Sequence, residues 1–163
     1  MNYAAIKETD IANGSGVRVS LFVSGCNRHC KGCFNSEIWN FDAGEPFDEF
    51  IAVKLFKLVD REFISGLSIL GGEPLDPRNI GVVGGLVRSF KESLPGKTIW
   101  IYTGYKFEEI SHNEFIRYVD VIVDGEFIEA EKDISLRFRG SRNQRIIDVK
   151  KTLSTGNIEL LEV

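Results

Sequence analysis

The sequence predicts an α/β fold built on a parallel sheet, and three observations predict it. Four short runs, Val17–Val23, Leu67–Leu70, Thr98–Tyr102 and Val119–Val123, are rich in Val, Ile, Leu and aromatic residues, and each is followed at once by glycine or a turn signal. The segments between them are long enough for helices, and strands alternating with helices pair in parallel through right-handed crossovers. Each run also delivers a distinctive segment at its carboxyl end: a cysteine loop after the first, Gly71-Gly-Glu-Pro74 after the second, Thr103-Gly-Tyr105 after the third, Asp124-Gly-Glu-Phe127 after the fourth. Ligands of such sheets bind where the strands end, so the four segments are expected on one rim.

The elements follow in order. Residues 1–10 contain no apolar stretch of signal-peptide length. Phe47–Phe63 carries Phe47, Phe50, Ile51, Leu55, Leu58 and Val59 at helical spacing, with Pro46 opening it. Pro77–Leu94 predicts a second helix, weakened by Gly81, Gly84 and Gly85 and ended by Pro95-Gly96. Lys106–Tyr118 predicts a third, with Phe107, Ile110, Phe115 and Ile116 as its apolar side. Arg145–Val149 and Ile158–Val163 read as further strands at an edge. No repeat, low-complexity tract or linker interrupts the chain, which predicts one domain over residues 1–163.

Composition narrows the class. The formal net charge of −4 and pI near 5.3 argue against a nucleic-acid binder, whose phosphate contacts demand a basic surface. The charge is uneven: residues 132–151 hold Lys132, Arg137, Arg139, Arg142, Arg145, Lys150 and Lys151 against Asp133 and Asp148 alone. No apolar run approaches the ~18 residues that span a membrane. The expected compartment is the cytoplasm, where clustered cysteines serve metal or redox chemistry in preference to disulfides.

Cys26, Cys30 and Cys33 are the only cysteines, and they fall within eight residues. Three thiolates are one short of the four protein ligands of a structural zinc or an electron-transfer cluster. A four-iron cluster held by three thiolates keeps one iron open. Zinc, with His29 or His112 as fourth ligand, is the competing reading, since soft thiolates suit both metals. His29 adjoins Cys30, so its side chain is expected to point away from that neighbour's. His112 reads as a surface residue.

The spacing Cys26–Cys30–Cys33, three residues then two, resembles the signature of the radical S-adenosylmethionine enzymes. The resemblance implies a 4Fe-4S cluster on those three thiolates, with S-adenosylmethionine chelated by the fourth iron. An electron from the cluster would break the sulfonium C–S bond to give methionine and a 5′-deoxyadenosyl radical. Gly71-Gly72-Glu73 matches the segment that meets the methionine amino group in that superfamily; taken alone, Gly-Gly-Glu-Pro is an ordinary turn. Gly32, Cys33 and Phe34 fall where the adenine pocket is lined. Many members carry an aromatic residue at the position of Gly32, which passes any stacking role to Phe34, a residue that otherwise reads as core.

Asp10-Ile-Ala-Asn-Gly-Ser-Gly-Val-Arg18, Val23-Ser-Gly-Cys26, Tyr102-Thr-Gly-Tyr105, Val123-Asp-Gly-Glu-Phe127 and Arg139-Gly-Ser-Arg-Asn-Gln-Arg145 narrow the resemblance to the activating proteins of anaerobic ribonucleoside-triphosphate reductase. It runs from about residue 10 to 150. It implies hydrogen abstraction from a glycine of the reductase's large subunit, a glycyl radical protein, with a reducing protein such as flavodoxin as electron donor. No residue beyond the cluster and cofactor ligands is expected to act as a catalyst. The Arg139–Arg145 segment is either a solvated loop or a site for an anion or the partner. Complete eight-unit barrels take about 250 residues, so the implied fold is an incomplete, open parallel β/α barrel. Activation of another glycyl radical enzyme, a small-molecule substrate, and a non-catalytic zinc module are the alternatives.

Overall fold

Strand β1 (Asn2–Asp10) leads antiparallel into β2 (Arg18–Val23), and the loop that follows carries the cysteines. A two-residue strand, β3 (Glu45–Pro46), pairs with the start of β1. Then α1 (Glu49–Val59), β4 (Gly66–Gly71), α2 (Ile80–Ser93), β5 (Thr98–Tyr102) and α3 (Phe107–Ile110) alternate, before β6 (Val121–Asp124), β7 (Arg145–Asp148) and α4 (Val149–Thr155). The computed structural model describes residues 1–163 and joins the strands in one 7-stranded sheet, order β3-β1-β2-β4-β5-β6-β7. The sheet is mixed and does not close on itself. Its centre, β2-β4-β5-β6, is parallel; β1 and β7 run antiparallel to their neighbours.

The alternation of side chains along each strand builds two layers. Val19, Leu21, Val23, Leu67, Ile69, Ile99, Ile101, Ile122 and Ile147 form one cluster with Leu55 and Val59 of α1 and Val83, Leu86, Val87 and Phe90 of α2. The intervening residues make the opposite face. There Trp100, Val121, Val123 and Ile146 pack together, with Phe138 edge-on to Trp100. That face is also polar. Arg18 is 1% exposed, and its guanidinium donates to Ser68 Oγ, Thr98 Oγ1 and three backbone carbonyls, so all five N–H groups are satisfied without a carboxylate.

The four expected strands form within two residues of their predicted bounds. Helix α1 starts later than expected, because Asp48 caps it by accepting from Ile51 N at 2.9 Å; Phe50, expected on the apolar side, is 79% exposed. Helix α2 forms despite its glycines, and Gly84 gives Phe115 room, since a Cβ there would lie 2.9 Å from the ring. The expected helix 106–118 is broken. Asn113 is extended, and a separate 3₁₀ turn, Glu114–Tyr118, follows. At the end, Asp148 caps Lys151 N and turns Val149 into a helix start, and Ile158–Val163 contributes only a bridge from Leu160 to Ile147. Strands β1 and β3 were not expected. No helix is long and apolar enough to cross a membrane.

Candidate active site

The four rim segments meet. A cavity of ≈ 660 Å³ is bordered by Cys26, Cys30, Cys33 and Phe34 from the loop after β2, Gly71, Gly72 and Glu73 after β4, Thr103 and Gly104 after β5, and Gly125 and Phe127 after β6. Phe22, Leu70 and Tyr102 continue it along the sheet face, and residues 132–140 supply much of the remaining wall. The Tyr102 hydroxyl is buried without a hydrogen-bond partner, and burial pushes its pKa up, so it stays neutral.

Backbone contacts seat the cysteine loop on the Gly-Gly-Glu segment. Gly72 N donates to Val23 O at 2.8 Å and Glu73 N to Gly25 O at 2.7 Å. Asn79, 1% exposed, donates to both Ser24 O and Glu73 O, and Asn35 Nδ2 donates to Gly71 O at 3.2 Å. Gly72 is required here: a Cβ would lie 2.3 Å from Gly25 O.

Glu73 is 3% exposed and ties β4 to β5. Its Oε1 accepts from Leu75 N at 3.0 Å and Thr103 Oγ1 at 2.7 Å, and its Oε2 from Gly104 N at 2.7 Å. Burial nonetheless holds its pKa above the usual carboxylate value, the hydrogen bonds only partly offsetting it. Arg28 reaches across the same rim, with Nε 3.8 Å from Glu73 Oε2 and Nη1 2.5 Å from Glu126 Oε1.

All three cysteines are free thiols, Cys26 buried and the others half-buried. Burial pushes the Cys26 and Cys30 thiols up; Glu73 adds to this at Cys26 and Glu126 at Cys30. A bound metal reverses that preference by deprotonating its thiol ligands. His29 does not join them. It adopts a positive φ of 49° and stacks on Trp39 at 4.3 Å, and His112 is exposed away from the cavity wall. No three His, Cys, Asp or Glu side chains converge on one point as a single metal ion would require, so the three thiols stand apart around the cavity.

Of the expected cofactor contacts, Cys33, Phe34, Gly71, Gly72 and Glu73 border the cavity, and Gly32 does not. Gly32 has φ +75°, and the space beside it belongs to Glu129. Phe34 is not core: it is 60% exposed, tilted against Phe127 at 5.2 Å, with Lys132 Nζ 5.1 Å above its ring. The Arg139–Arg145 segment spends most of its polar groups internally. Gln144 Oε1 accepts from Gly140 N and Ser141 N, Asn143 Nδ2 donates to Glu126 O, and Gln144 Nε2 donates to Gly125 O. Sequence reasoning missed Arg28, Asn79 and the wall at residues 132–138, while Arg139 and Gly140 of that wall belong to the singled-out Arg139–Arg145 segment. Arg28 occupies a variable position inside the cysteine motif, Asn79 belongs to no motif, and the wall has no regular period.

Three soft thiol donors with no competing disulfide, on the wall of a cavity larger than a single ion, suit an iron–sulfur cluster. Comparison with known proteins agrees. Residues 12–147 match the family model described as a 4Fe-4S single cluster domain. The chain is 41% identical over 152 residues to the anaerobic ribonucleoside-triphosphate reductase-activating protein of Pasteurella multocida, covering 90% of this chain and 96% of that one. It is 43% identical over 148 residues to the phage T4 protein of the same name (90% and 93% covered) and 39% identical over 148 residues to that of Escherichia coli K12 (88% and 96%). The chain belongs to the family of anaerobic ribonucleoside-triphosphate reductase-activating proteins, and its cofactor is an iron–sulfur cluster.

Proposed function

We propose that the chain is a radical S-adenosylmethionine enzyme, a single domain over residues 1–163, that installs a glycyl radical on the large subunit of an anaerobic ribonucleoside-triphosphate reductase. The observation that carries the reading is the meeting of Cys26, Cys30 and Cys33 with Gly71-Gly72-Glu73 on one cavity. The unclosed sheet, parallel at its centre, fits an incomplete β/α barrel whose open side admits a polypeptide.

Held there by Cys26, Cys30 and Cys33, a 4Fe-4S cluster would supply the electron for reductive cleavage of S-adenosylmethionine, the chemistry that would end in loss of a hydrogen atom from the partner's glycine. The chain's own residues bind and orient. Cys26, Cys30 and Cys33 hold the cluster as thiolates. Glu73 has used three of about four acceptor positions on the protein, which leaves one for the ammonium of the methionine moiety. Gly71 and Gly72 let the backbone approach that group. Phe34 presents a ring to adenine, and Cys33 shares that wall; Gly32 acts through its turn. No proton transfer is needed for hydrogen-atom abstraction, and the neutral Tyr102 hydroxyl adds a donor on the cavity floor. The electron donor is a reducing protein of the flavodoxin kind.

The test mixes anaerobically reconstituted, reduced protein with S-adenosylmethionine and the reductase. A glycyl radical by electron paramagnetic resonance, with 5′-deoxyadenosine formed, is expected. 5′-Deoxyadenosine without a radical on the reductase rejects the partner, and zinc in place of iron and sulfide rejects the chemistry.

A further inference from the structure

We propose that Arg28 is a positioning residue that sets the charge beside the iron–sulfur cluster, by offsetting part of the charge of Glu73 and Glu126 between the cysteine loop and the other rim loops. The inference rests on the reading of Cys26, Cys30 and Cys33 as the cluster ligands.

Arg28 lies between Cys26 and Cys30 in the chain, and its side chain leaves the loop to touch three other rim segments. Nη1 donates to Glu126 Oε1 after β6, Nε stands 3.8 Å from Glu73 Oε2 after β4, and the guanidinium lies 4.2 Å over the Tyr105 ring after β5. The place is built for it. A Cβ on Gly104 would lie 2.4 Å from Arg28 Cδ and 2.7 Å from Nε, so any other residue there would displace the arginine. The side chain is 21% exposed, and Nε is buried with no hydrogen-bond partner, which sets it apart from an ordinary surface ion pair.

The two carboxylates it faces stand on the rim that carries the thiols: Glu73 borders the same cavity as Cys26, Cys30 and Cys33, and Glu126 directly follows Gly125 of its wall. Glu73 is nearly fully buried, so its charge is poorly screened by water. Reduction adds an electron to a cluster already surrounded by thiolates, and the potential of such clusters follows the net charge around them. Without Arg28, two carboxylates would oppose that electron. With it, a cation shared between them cancels about half of that opposition while pinning the loop that carries the three ligands. A lock made of packing alone would hold the loop equally well and would not respond to charge.

The test uses the full chain, reconstituted anaerobically, as wild type, Arg28→Gln, Arg28→Lys, Glu126→Gln and the double variant Arg28→Gln/Glu126→Gln. Iron and sulfide are counted first, and the midpoint potential is then read by titration monitored with electron paramagnetic resonance. Arg28→Gln is expected to keep its cluster and titrate at a more negative potential than wild type. Glu126→Gln shifts the other way, the double variant returns towards wild type, and Arg28→Lys stays near it. An iron-loaded Arg28→Gln with the wild-type potential overturns the proposal, as does a double variant that keeps the full shift of the single one. If Arg28→Gln holds no cluster, Glu126→Gln decides: a positive shift supports the proposal and an unmoved potential overturns it. Absence of iron from the wild type rejects the cluster assignment instead.

Discussion

Arg145 holds the carboxylate of Asp124 in a fork, with Nε 3.0 Å from Oδ1 and Nη2 2.5 Å from Oδ2. Asp124 is 1% exposed and also accepts from Phe107 N at 2.8 Å. One carboxylate thus fastens the end of β6 to the starts of α3 and β7, directly behind the rim segment that carries Gly125 and Phe127. The hydrogen bonds from Arg145 to Asp124, and then to Glu108, hold the arginine's pKa above its ordinary value.

Arg145→Ala therefore strands a buried carboxylate. A fully buried pair broken this way costs about 3–5 kcal/mol. Arg145 is 31% exposed, so a loss of about 2 kcal/mol is expected, or about 4–8 °C in Tm for a chain of this size. Glu108→Ala, on the exposed side of the same arginine, is expected to cost at most about 0.5 kcal/mol. Scanning calorimetry of the two variants checks both values.

The fold was legible where strands are buried on both faces and illegible where they are not. Val19, Leu21 and Val23, or Ile99 and Ile101, announce themselves as apolar runs. Strand β1 does not: Ala5, Lys7, Glu8 and Thr9 are exposed, and its pairing is set by β2 beside it. The helix expected over 106–118 has the right apolar period, but His112-Asn113 interrupts it, and Asn113 bonds Ile110 O from its side chain. At the rim, the cysteine loop and the Gly-Gly-Glu segment were legible as strand-end segments, and they border one cavity as expected. Arg28 was not, because the residues it meets, Glu73, Gly104, Tyr105 and Glu126, are all distant in sequence. Gly32 was misplaced for a related reason: proximity to Cys33 in the chain does not put it on the cavity wall.

Asp10 provides a pH dependence. Burial alone would raise its pKa, but hydrogen bonds from Ser20 Oγ at 2.6 Å, Asn13 Nδ2 at 2.7 Å and Ala12 N at 2.8 Å outweigh it, and the value falls below the ordinary 3.8. A carboxylate with a depressed folded pKa contributes stability above its unfolded pKa and loses it as pH falls through the folded one. Asp10→Ala is expected to cost about 1–3 kcal/mol at pH 7. The gap between the two proteins should narrow only below about pH 3.8, where the unfolded Asp takes up its proton. Urea unfolding of both proteins from pH 7 to pH 3 measures it, and a gap that closes already near pH 5 contradicts the assignment.

Gly72 separates a requirement of the site from a general property of glycine. Its missing Cβ would lie 2.3 Å from Gly25 O and 2.9 Å from Gly25 N, and both are backbone atoms that no rotamer change can move aside. Gly72→Ala must therefore pry the Gly-Gly-Glu segment from the cysteine loop, at about 1–3 kcal/mol of strain. The hydrogen bond from Glu73 N to Gly25 O, 2.7 Å long, is the first to stretch. On the proposed function, S-adenosylmethionine binding should suffer more than stability, because Glu73 moves with that backbone. Gly81→Ala is the control. Nothing lies within 4 Å of its Cβ position, and in the first turn of α2 alanine recovers part of the roughly 0.5–1 kcal/mol that glycine costs in the middle of a helix. Equilibrium dialysis with S-adenosylmethionine on the reconstituted proteins, read beside Tm, is expected to show Gly81→Ala binding as wild type with a raised Tm. Gly72→Ala is expected to lose at least tenfold in affinity even at a temperature where it remains folded.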